Sequence, residues 1–258
     1  EYAFLSALEK SGCVGEASGW VPCHLTLWKN KQLQGALCLY EKNNGYGEYI
    51  FDWGWAKAYE RYGLNYYPKL VSAIPFTPAT GRKLLVHPEA DTSSVRKKLL
   101  EEALACMRDR NCSSLHFLFI TAEELPVFSA MGFLIRHSFQ FHWKNNNYSD
   151  FEDFLVTLKR KRRKEILRER RQIGQQMIKV EVFEGEAIQL EHIHIMYQFY
   201  LSTTDKKWGK SYLSEEFFHL IHTTMRNSLV LIMAFADGNC VAGTINFQKG
   251  NCLYGRFW

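Results

Sequence analysis

Two stretches of the chain, 208 positions apart, share one pattern of apolar and polar residues, and this repetition constrains the fold more than any other feature. Residues 24–40 and 231–247 each alternate like a β-strand, pass through a polar turn and alternate again. Sliding the first stretch by 208 positions places Gly35 on Gly243. Each stretch then leads through a further glycine into an aromatic segment, Tyr49–Trp53 or Leu253–Trp258. The pattern predicts two three-stranded meanders and favours a duplicated unit over a chance similarity of two hairpins.

The residues after the first meander indicate what one complete unit contains. Their periodicity predicts a helix, a strand, a helix, a strand, a helix and a strand, in that order. The expected ranges are 56–71, 83–87, 93–110, 114–120, 124–131 and 133–143, with Ser93 or Ser94 capping the second helix. Strands alternating with helices predict an α/β (α+β) fold class with two tandem units and mixed sheets.

The predicted units set the expected domain organisation. The first unit covers residues 1–147, a basic linker helix covers 148–178, and the beginning of the second unit covers 179–258. The second unit stops after its first strands, which would leave an apolar face and a strand edge uncovered. We therefore expect the natural protein to continue beyond residue 258.

Composition favours a protein of a reducing compartment. The 258 residues are 47% hydrophobic and 15% aromatic, which is enough to build buried cores. No apolar run approaches the roughly 18–20 residues of a membrane span. The seven cysteines are scattered and never form a CxxC pair, which argues against a disulfide framework or a zinc site. We predict a cytoplasmic protein without a bound metal or a permanently bound cofactor.

The positive charge is concentrated in one segment. Residues 151–173 contain nine basic and four acidic residues, so this segment accounts for the whole net charge of +5. It reads as a helix, for which three interpretations remain open: a solvated inter-domain helix, a polyanion-binding surface and a helix at an anionic membrane surface. The candidate polyanion-binding residues are Lys159, Lys161, Arg162, Arg163, Arg170 and Arg171.

The predicted order of elements resembles the GNAT (acyl-CoA N-acyltransferase) fold. Residues 125–133 look like the late helix of that superfamily, which ends in an aromatic residue, three further residues, Gly and Phe. Two such units joined by a basic helix resemble the FemAB-like proteins of peptidoglycan biosynthesis or recognition. Further segments of that type are Phe51–Trp55, Tyr66–Leu70, Pro75–Gly81, Lys159–Arg171 and Lys206–Gly209.

This resemblance implies an N-acyltransferase. An acyl or aminoacyl group would pass from an activated donor, acyl-CoA or aminoacyl-tRNA, to the amine of a small-molecule or peptide-sugar acceptor, and tRNA would be a partner. A non-catalytic module that recognises a peptide-sugar or nucleotide-linked ligand is the alternative. The oligomeric state stays open.

Two departures from the GNAT pattern weaken the case for CoA chemistry in the first unit. The segment 88–96, where that superfamily places a glycine-rich phosphate loop, contains no glycine and carries Glu89 and Asp91. The position of the superfamily's proton-donating Tyr is Phe128, which has no proton to donate. The first unit therefore reads as unable to run ordinary CoA-dependent transfer.

The candidate site of the first unit centres on Asp52. We predict that this carboxylate is a general base or an amine anchor, and a helix-capping or salt-bridging Asp is the alternative. The aromatic residues after it could line a cleft or simply pack against the sheet. The loop 76–82 could hold a carboxylate or phosphate, or be a structural turn. The candidate substrate-binding residues are Trp53, Trp55, Tyr66, Tyr67, Lys69, Phe76, Thr77, Thr80, Gly81, Arg82, Lys207, Trp208 and Tyr212.

Overall fold

The computed structural model describes residues 2–207 and 211–257 and has an α/β fold with mixed and antiparallel sheets. The chain forms two compact units. Unit 1 comprises Glu1–Arg136 and Tyr212–Phe217, and unit 2 comprises His137–Ser211 and Phe218–Trp258.

The first predicted hairpin lies in unit 1. Strand β2 (Leu25–Lys29) pairs antiparallel with β3 (Gln32–Leu37), and Leu27 lies opposite Gly35. The turn residues Asn30 and Lys31 both have positive φ, as the tightest hairpin turns require. The strands continue, after short interruptions, as β1 (Trp20–Pro22) and β4 (Tyr40–Lys42), which pair in a second sheet.

Two sheets and four helices complete unit 1 among the described residues. The four-stranded sheet has the order β1-β4-β5-β7, in which β5 and β7 are parallel, and the three-stranded sheet has the order β2-β3-β6. The remaining elements are α1 (Tyr2–Lys10), α2 (Trp53–Arg61), β5 (Lys69–Ser72), β6 (Leu84–Val86), α3 (Thr92–Asp109), β7 (Leu115–Phe117) and α4 (Leu125–Ala130).

Helix α3 supplies much of the apolar core of unit 1. Its buried face carries Leu99, Leu100 and Ala103, as the sequence periodicity predicted. A Cβ added at Gly35 would lie 2.5 Å from Val95 Cγ1, so this glycine allows α3 to pack closely on the hairpin. The core residues are Leu37, Leu39, Leu70, Leu84, Val95, Leu99, Leu100, Ala103, Cys112 and Phe128.

Three expected elements within residues 1–147 were wrong. The predicted helix 56–71 ends at Arg61, because residues 69–72 form the central strand β5. Residues 49–52 form no third meander strand, and the segment 133–143 is not a strand. In the latter, Leu134 is 95% and Phe141 94% exposed, and apolar alternation without a neighbouring strand to pair with does not make a strand.

Among its described residues unit 2 contains one antiparallel sheet of order β11-β10-β9-β8, three helices and most of a fourth, whose first residues, 215–217, belong to unit 1. The predicted second hairpin is present, with Gly243 opposite Met233. The predicted linker helix is two helices, α5 and α6, separated by residues 157–159. The elements are α5 (Phe151–Val156), α6 (Arg160–Gln175), β8 (Lys179–Glu184), α7 (Leu190–Lys207), α8 (Glu215–Met225), β9 (Leu229–Ala236), β10 (Asn239–Lys249) and β11 (Cys252–Phe257).

None of the described helices is both long enough and apolar enough to cross a bilayer.

Candidate functional site

One face of the four-stranded sheet of unit 1 carries buried charges where a core would normally be apolar. Lys42 on β4 lies directly opposite Lys69 on β5, and Trp20 on β1 lies opposite Lys42. Side chains of directly opposed residues point to the same side of a sheet, so the two lysines share one face. Both are fully buried. Buried lysines are rare unless they are paired, so the anions beside Lys69 identify the site.

Lys69 joins two carboxylates at the centre of this cluster. Its Nζ donates to Glu48 Oε2 at 2.8 Å and to Asp52 Oδ2 at 2.9 Å. Both acidic side chains are almost completely buried. Strand β5 places the ammonium between a glycine-containing loop, residues 43–51, and the start of α2. The sequence grouped Lys69 and Asp52, whereas Glu48 was not anticipated.

Asp52 is fully engaged by donors. Its Oδ1 accepts from Arg136 Nη1 at 2.6 Å, and its Oδ2 accepts from Tyr66 OH at 2.8 Å in addition to Lys69. Burial alone would raise the pKa of Asp52, but the hydrogen bonds from Arg136 and Lys69 lower that pKa to about 2. Asp52 occupies the N-cap position of α2 without making a side-chain capping bond. This geometry favours the salt-bridging interpretation of Asp52 over those of a general base and an amine anchor.

Glu48 differs from Asp52 because one of its carboxylate oxygens has no hydrogen-bond partner. Its Oε2 binds Lys69, and its Oε1 is buried without a hydrogen-bond partner. Burial raises the pKa of Glu48, and the positive charges of Lys69 and Lys42 oppose that rise without cancelling it. Two carboxylates on one ammonium therefore have pKa values displaced in opposite directions.

Lys42 has only uncharged hydrogen-bond partners. Its Nζ donates to the Tyr46 carbonyl at 3.1 Å and to Asn44 Oδ1 at 3.3 Å, and it lies 4.2 Å from the centre of the Trp20 ring. Burial lowers the pKa of Lys42 to about 7, with Lys69 contributing in the same direction and Glu48 opposing. This amine therefore loses its proton more readily than an exposed lysine does.

His116 lies on the adjoining strand β7, opposite Val71 of β5. Its Nε2 is 2.8 Å from Ser114 Oγ. Burial, with help from the charge of Lys69, lowers the pKa of His116 to about 4, so the imidazole is neutral at physiological pH. A neutral imidazole adds a polar group to this face without adding a further positive charge.

Exposed aromatic side chains surround the loop that carries Glu48. Tyr46 is 66% exposed and Tyr49 41% exposed, and they flank the buried carboxylate in the chain. Within unit 1, Tyr212 stacks on Phe76 with ring centres 5.2 Å apart and planes 18° apart. We call the exposed or stacked rings of this region the aromatic rim. The aromatic rim comprises Tyr46, Tyr49, Phe51, Trp53, Phe76 and Tyr212.

Several predicted site residues join this cluster and others do not. Asp52, Tyr66 and Lys69 are hydrogen-bonded together, and Tyr67 packs edge-on against Tyr66 at 5.1 Å. Arg82 instead pairs with exposed Glu123 at 2.9 Å. The others are placed as follows: Trp53 and Trp55 are exposed on α2, Phe76 is buried, Thr77 and Gly81 are half-buried, Thr80 is exposed, and Lys207 ends α7. Trp208 and the side chain of Lys207 lie outside the described residues.

The N-terminus of α3, where the resemblance to the GNAT superfamily would imply a phosphate loop, is capped by the chain itself. Asp91 caps α3, and its Oδ1 accepts from the backbone N–H groups of Ser93 and Ser94 at 3.1 and 3.4 Å. The cap is therefore Asp91 and not Ser93 or Ser94. These N–H groups are the ones that a helix N-terminus would offer to a phosphate. Phe128, at the position of the superfamily's Tyr, is buried against Phe117 and Phe133.

Comparison with known proteins identifies the family. The FemAB-like family, described as peptidoglycan biosynthesis/recognition, matches residues 1–258. The chain belongs to the FemAB-like family. Among solved structures, this FemAB-like chain is similar to L-PGS from Bacillus licheniformis, with 9% identity, a TM-score of 0.45 and coverage of 98% of this chain and 65% of that one.

A second similar structure is that of FemX, at 13% identity, a TM-score of 0.40 and coverage of 85% of this chain and 49% of that one. The FemAB-like chain therefore spans about two thirds and one half of these two proteins. No curated protein sequence matches it.

The candidate polyanion-binding residues lie on and just before α6 in unit 2. Lys159, at the N-cap position, is exposed, as are Lys161, Arg162, Arg170 and Arg171, and Arg163 is half-buried. Arg162 pairs with Glu165 at 2.7 Å, and the Arg170 guanidinium lies 4.2 Å from the centre of the Phe151 ring. An exposed row of cations is the expected form of a polyanion-binding surface, but a solvated helix has the same form.

In the part of the chain that the structure describes, no group of three or more His, Cys, Asp or Glu side chains has the geometry to hold a metal ion.

Proposed function

We propose that this FemAB-like protein is an acyl- or aminoacyltransferase of peptidoglycan biosynthesis in which unit 1 binds the amine acceptor. The observation that supports this is the buried cluster of Lys42, Glu48, Asp52 and Lys69 beneath the aromatic rim. Such a cluster holds both signs of charge next to the surface loop 43–51, and the rim offers flat apolar surfaces to a sugar ring. A peptide-sugar acceptor would use both.

The acyl donor is assigned to another part of the protein. Asp91 occupies the helix N-terminus where CoA phosphates would bind, and Phe128 cannot protonate a leaving thiolate. In our proposal the donor is an aminoacyl-tRNA or an acyl-CoA, and the cations of α6 bind its phosphates.

We further propose that the two units are copies of one GNAT-like fold. The two hairpins support this, because Gly35 and Gly243 each lie where a helix packs closely: a Cβ at Gly243 would lie 2.5 Å from Met196 Sδ on α7. A cytoplasmic location, inferred from the scattered cysteines, agrees with the use of either donor.

A ligand panel on the full-length natural protein tests the proposed function. Thermal unfolding would be followed with acetyl-CoA, alanyl-tRNA and a nucleotide-linked muramoyl peptide, because a ligand that binds only the folded state raises Tm by mass action. We expect the muramoyl peptide to raise Tm, and the Lys69→Met variant to lose this shift. Transfer of radiolabelled alanine or acetyl groups to the peptide would then be measured.

A non-catalytic recognition module is the second candidate, favoured by the self-capped helix of unit 1. It predicts binding of the muramoyl peptide without transfer from either donor. A panel in which no acceptor binds would contradict both candidates.

A further inference from the structure

Lys69 bridges two carboxylates that differ in the number of hydrogen-bond donors they receive. Asp52 receives three side-chain donors, from Arg136, Tyr66 and Lys69. Glu48 receives one donor, on Oε2, while its Oε1 has none. Glu48 is 2% exposed, so water does not freely replace the missing partner. A buried acceptor that is left unpaired lowers stability, most of all when it carries a charge, and such a group calls for a functional explanation.

The polar groups around Glu48 leave Oε1 without a hydrogen-bond partner. Lys42, on the neighbouring strand, directs its Nζ to the Tyr46 carbonyl and Asn44 and makes no ion pair with Glu48. The other charged or titratable groups that act on Glu48 are Lys69, Asp52, Tyr66 and Tyr67. Lys69 fixes Oε2, so the carboxylate is oriented while Oε1 has no hydrogen-bond partner.

We propose that Glu48 is the catalytic residue that takes the proton from the attacking acceptor amine, through Oε1. This inference rests on the proposed transferase function. The amine nitrogen attacks the acyl carbonyl carbon, the C–N bond forms, and the C–O or C–S bond to the donor breaks. One N–H proton leaves the nitrogen, is held on Glu48, and ends on the oxygen or sulfur of the leaving group, so the step is balanced.

Three further observations fit this role. The raised pKa of Glu48 makes it a better proton acceptor near neutral pH than Asp52. Tyr46 and Tyr49 lie within two positions of Glu48 in the chain and are exposed, so the loop that carries this carboxylate reaches the surface on either side of it. Lys69 then acts as a positioning residue because it binds Glu48 directly, and Asp52 is a positioning residue because it holds Lys69.

The first test does not depend on activity. An infrared difference titration of the full-length protein follows the stretching band of protonated carboxyl groups between pH 4 and pH 8. We expect a band that titrates above the ordinary range of Glu in the wild type, is missing in Glu48→Gln, and persists in Glu101→Gln, which changes an exposed carboxylate on α3. Absence of such a band, or its survival in Glu48→Gln, would overturn the proposal.

The second test is the rate of transfer to the muramoyl peptide. Proton-transfer groups contribute about 10²–10⁴-fold, so Glu48→Gln should lower kcat by at least about 100-fold with little change in KM and should remove the acidic limb of the pH–rate profile. Glu48→Asp should recover part of the rate, and Glu101→Gln should behave as the wild type.

If the wild type transfers and Glu48→Gln keeps its rate, the role of Glu48 is wrong and the transferase function stands. If the wild type transfers with neither donor, the transferase function is wrong and Glu48 has no catalytic role to fill.

Discussion

Lys42 and Lys69 are directly opposite each other on adjacent antiparallel strands, and both side chains are completely buried. Like charges in this arrangement repel, and each also loses its hydration. Lys69 is compensated by Glu48 and Asp52, whereas Lys42 has only a carbonyl, an amide oxygen and the Trp20 ring. The sheet therefore retains a destabilising pair, which is typical of sites where function outweighs stability.

The first prediction concerns the pH dependence caused by Lys42. Its folded-state pKa of about 7 lies below the ordinary value of 10.5, so between these values the unfolded chain binds more protons. Stability must therefore rise with pH across this window, and the gain is lost as pH falls towards 7. We expect the wild type to gain about 1–2 kcal/mol between pH 7 and pH 9, relative to Lys42→Met, in urea unfolding.

Substitution by Met also removes a buried charge, which is often neutral or stabilising when the volume is kept. If the free energy of unfolding changed with pH in the same way for the wild type and Lys42→Met, the pKa of Lys42 would not be lowered in the folded state. Lys98→Met, on the exposed side of α3, serves as the control and should leave the curve unchanged.

The second prediction concerns Asp52. Removal of this carboxylate by Asp52→Ala leaves Lys69 with one partner and Arg136 and Tyr66 without an acceptor. Breaking a buried ion pair costs about 3–5 kcal/mol. The exposed pair Lys97–Glu101 is the matched control, and Glu101→Ala should cost at most about 0.5 kcal/mol. Urea unfolding measures both, and equal losses would mean that the Asp52 cluster adds no stability.

Elements in which the pattern of apolar residues follows the buried face could be predicted from the sequence. Alternation predicted both hairpins, and the spacing of Leu99, Leu100 and Ala103 predicted the buried face of α3. These features depend on local periodicity, because residues that repeat at the period of a helix or a strand lie on one face of that element. The aromatic rim was predicted in part, because Trp53, Phe76 and Tyr212 were among the candidate substrate-binding residues.

The charged cluster could not be predicted as a whole because its members come from separate elements. Lys42 ends a strand and Glu48 lies among glycines, and both positions are usually exposed. Lys69 lies in a segment that was predicted to be a helix, so its pairing with Lys42 across two strands could not be predicted. Arg136 lies in a segment predicted as a strand that has no partner. Only the pairing of β4 with β5 brings these residues together.

The third prediction compares the two hairpin glycines. A Cβ at Gly35 would lie 2.5 Å from Val95 Cγ1 and 2.9 Å from the Leu85 backbone oxygen. At Gly243 it would lie 2.5 Å from the flexible Met196 Sδ, and the next neighbour, Phe199 Cδ2, would be 3.5 Å away. Gly35→Ala should therefore cost about 1–3 kcal/mol, and Gly243→Ala less. Gly174→Ala, in α6 with no atom within 4 Å, should be neutral or stabilise by up to about 1 kcal/mol. Thermal unfolding ranks the three, and a reversed order for the first two would refute the contact argument.

The fourth prediction concerns the cap of α3. Asp91→Ala removes the acceptor for two backbone N–H groups and should cost about 1 kcal/mol. Asp91→Asn keeps an acceptor oxygen and should cost much less. If the carboxylate also excludes phosphates, the full-length protein with Asp91→Gly should gain weak affinity for CoA in calorimetry. Tight CoA binding by the wild type that is lost on mutation of residues 92–94 would show that unit 1 binds this donor after all.

The fifth prediction concerns the cations at and beyond the N-terminus of α6. If they bind a polyanion, the logarithm of the affinity for tRNA should fall linearly with the logarithm of salt concentration, because each phosphate contact releases counterions. Replacing exposed Lys159, Lys161 and Arg171 by Gln should weaken binding and reduce the slope by about one for each lost contact. The matched control replaces Lys57, Lys97 and Lys98, exposed cations on α2 and α3, and removes the same charge elsewhere. Equal losses in the two triple variants would mean that net charge, and not the α6 surface, governs binding, and α6 would then be a solvated helix.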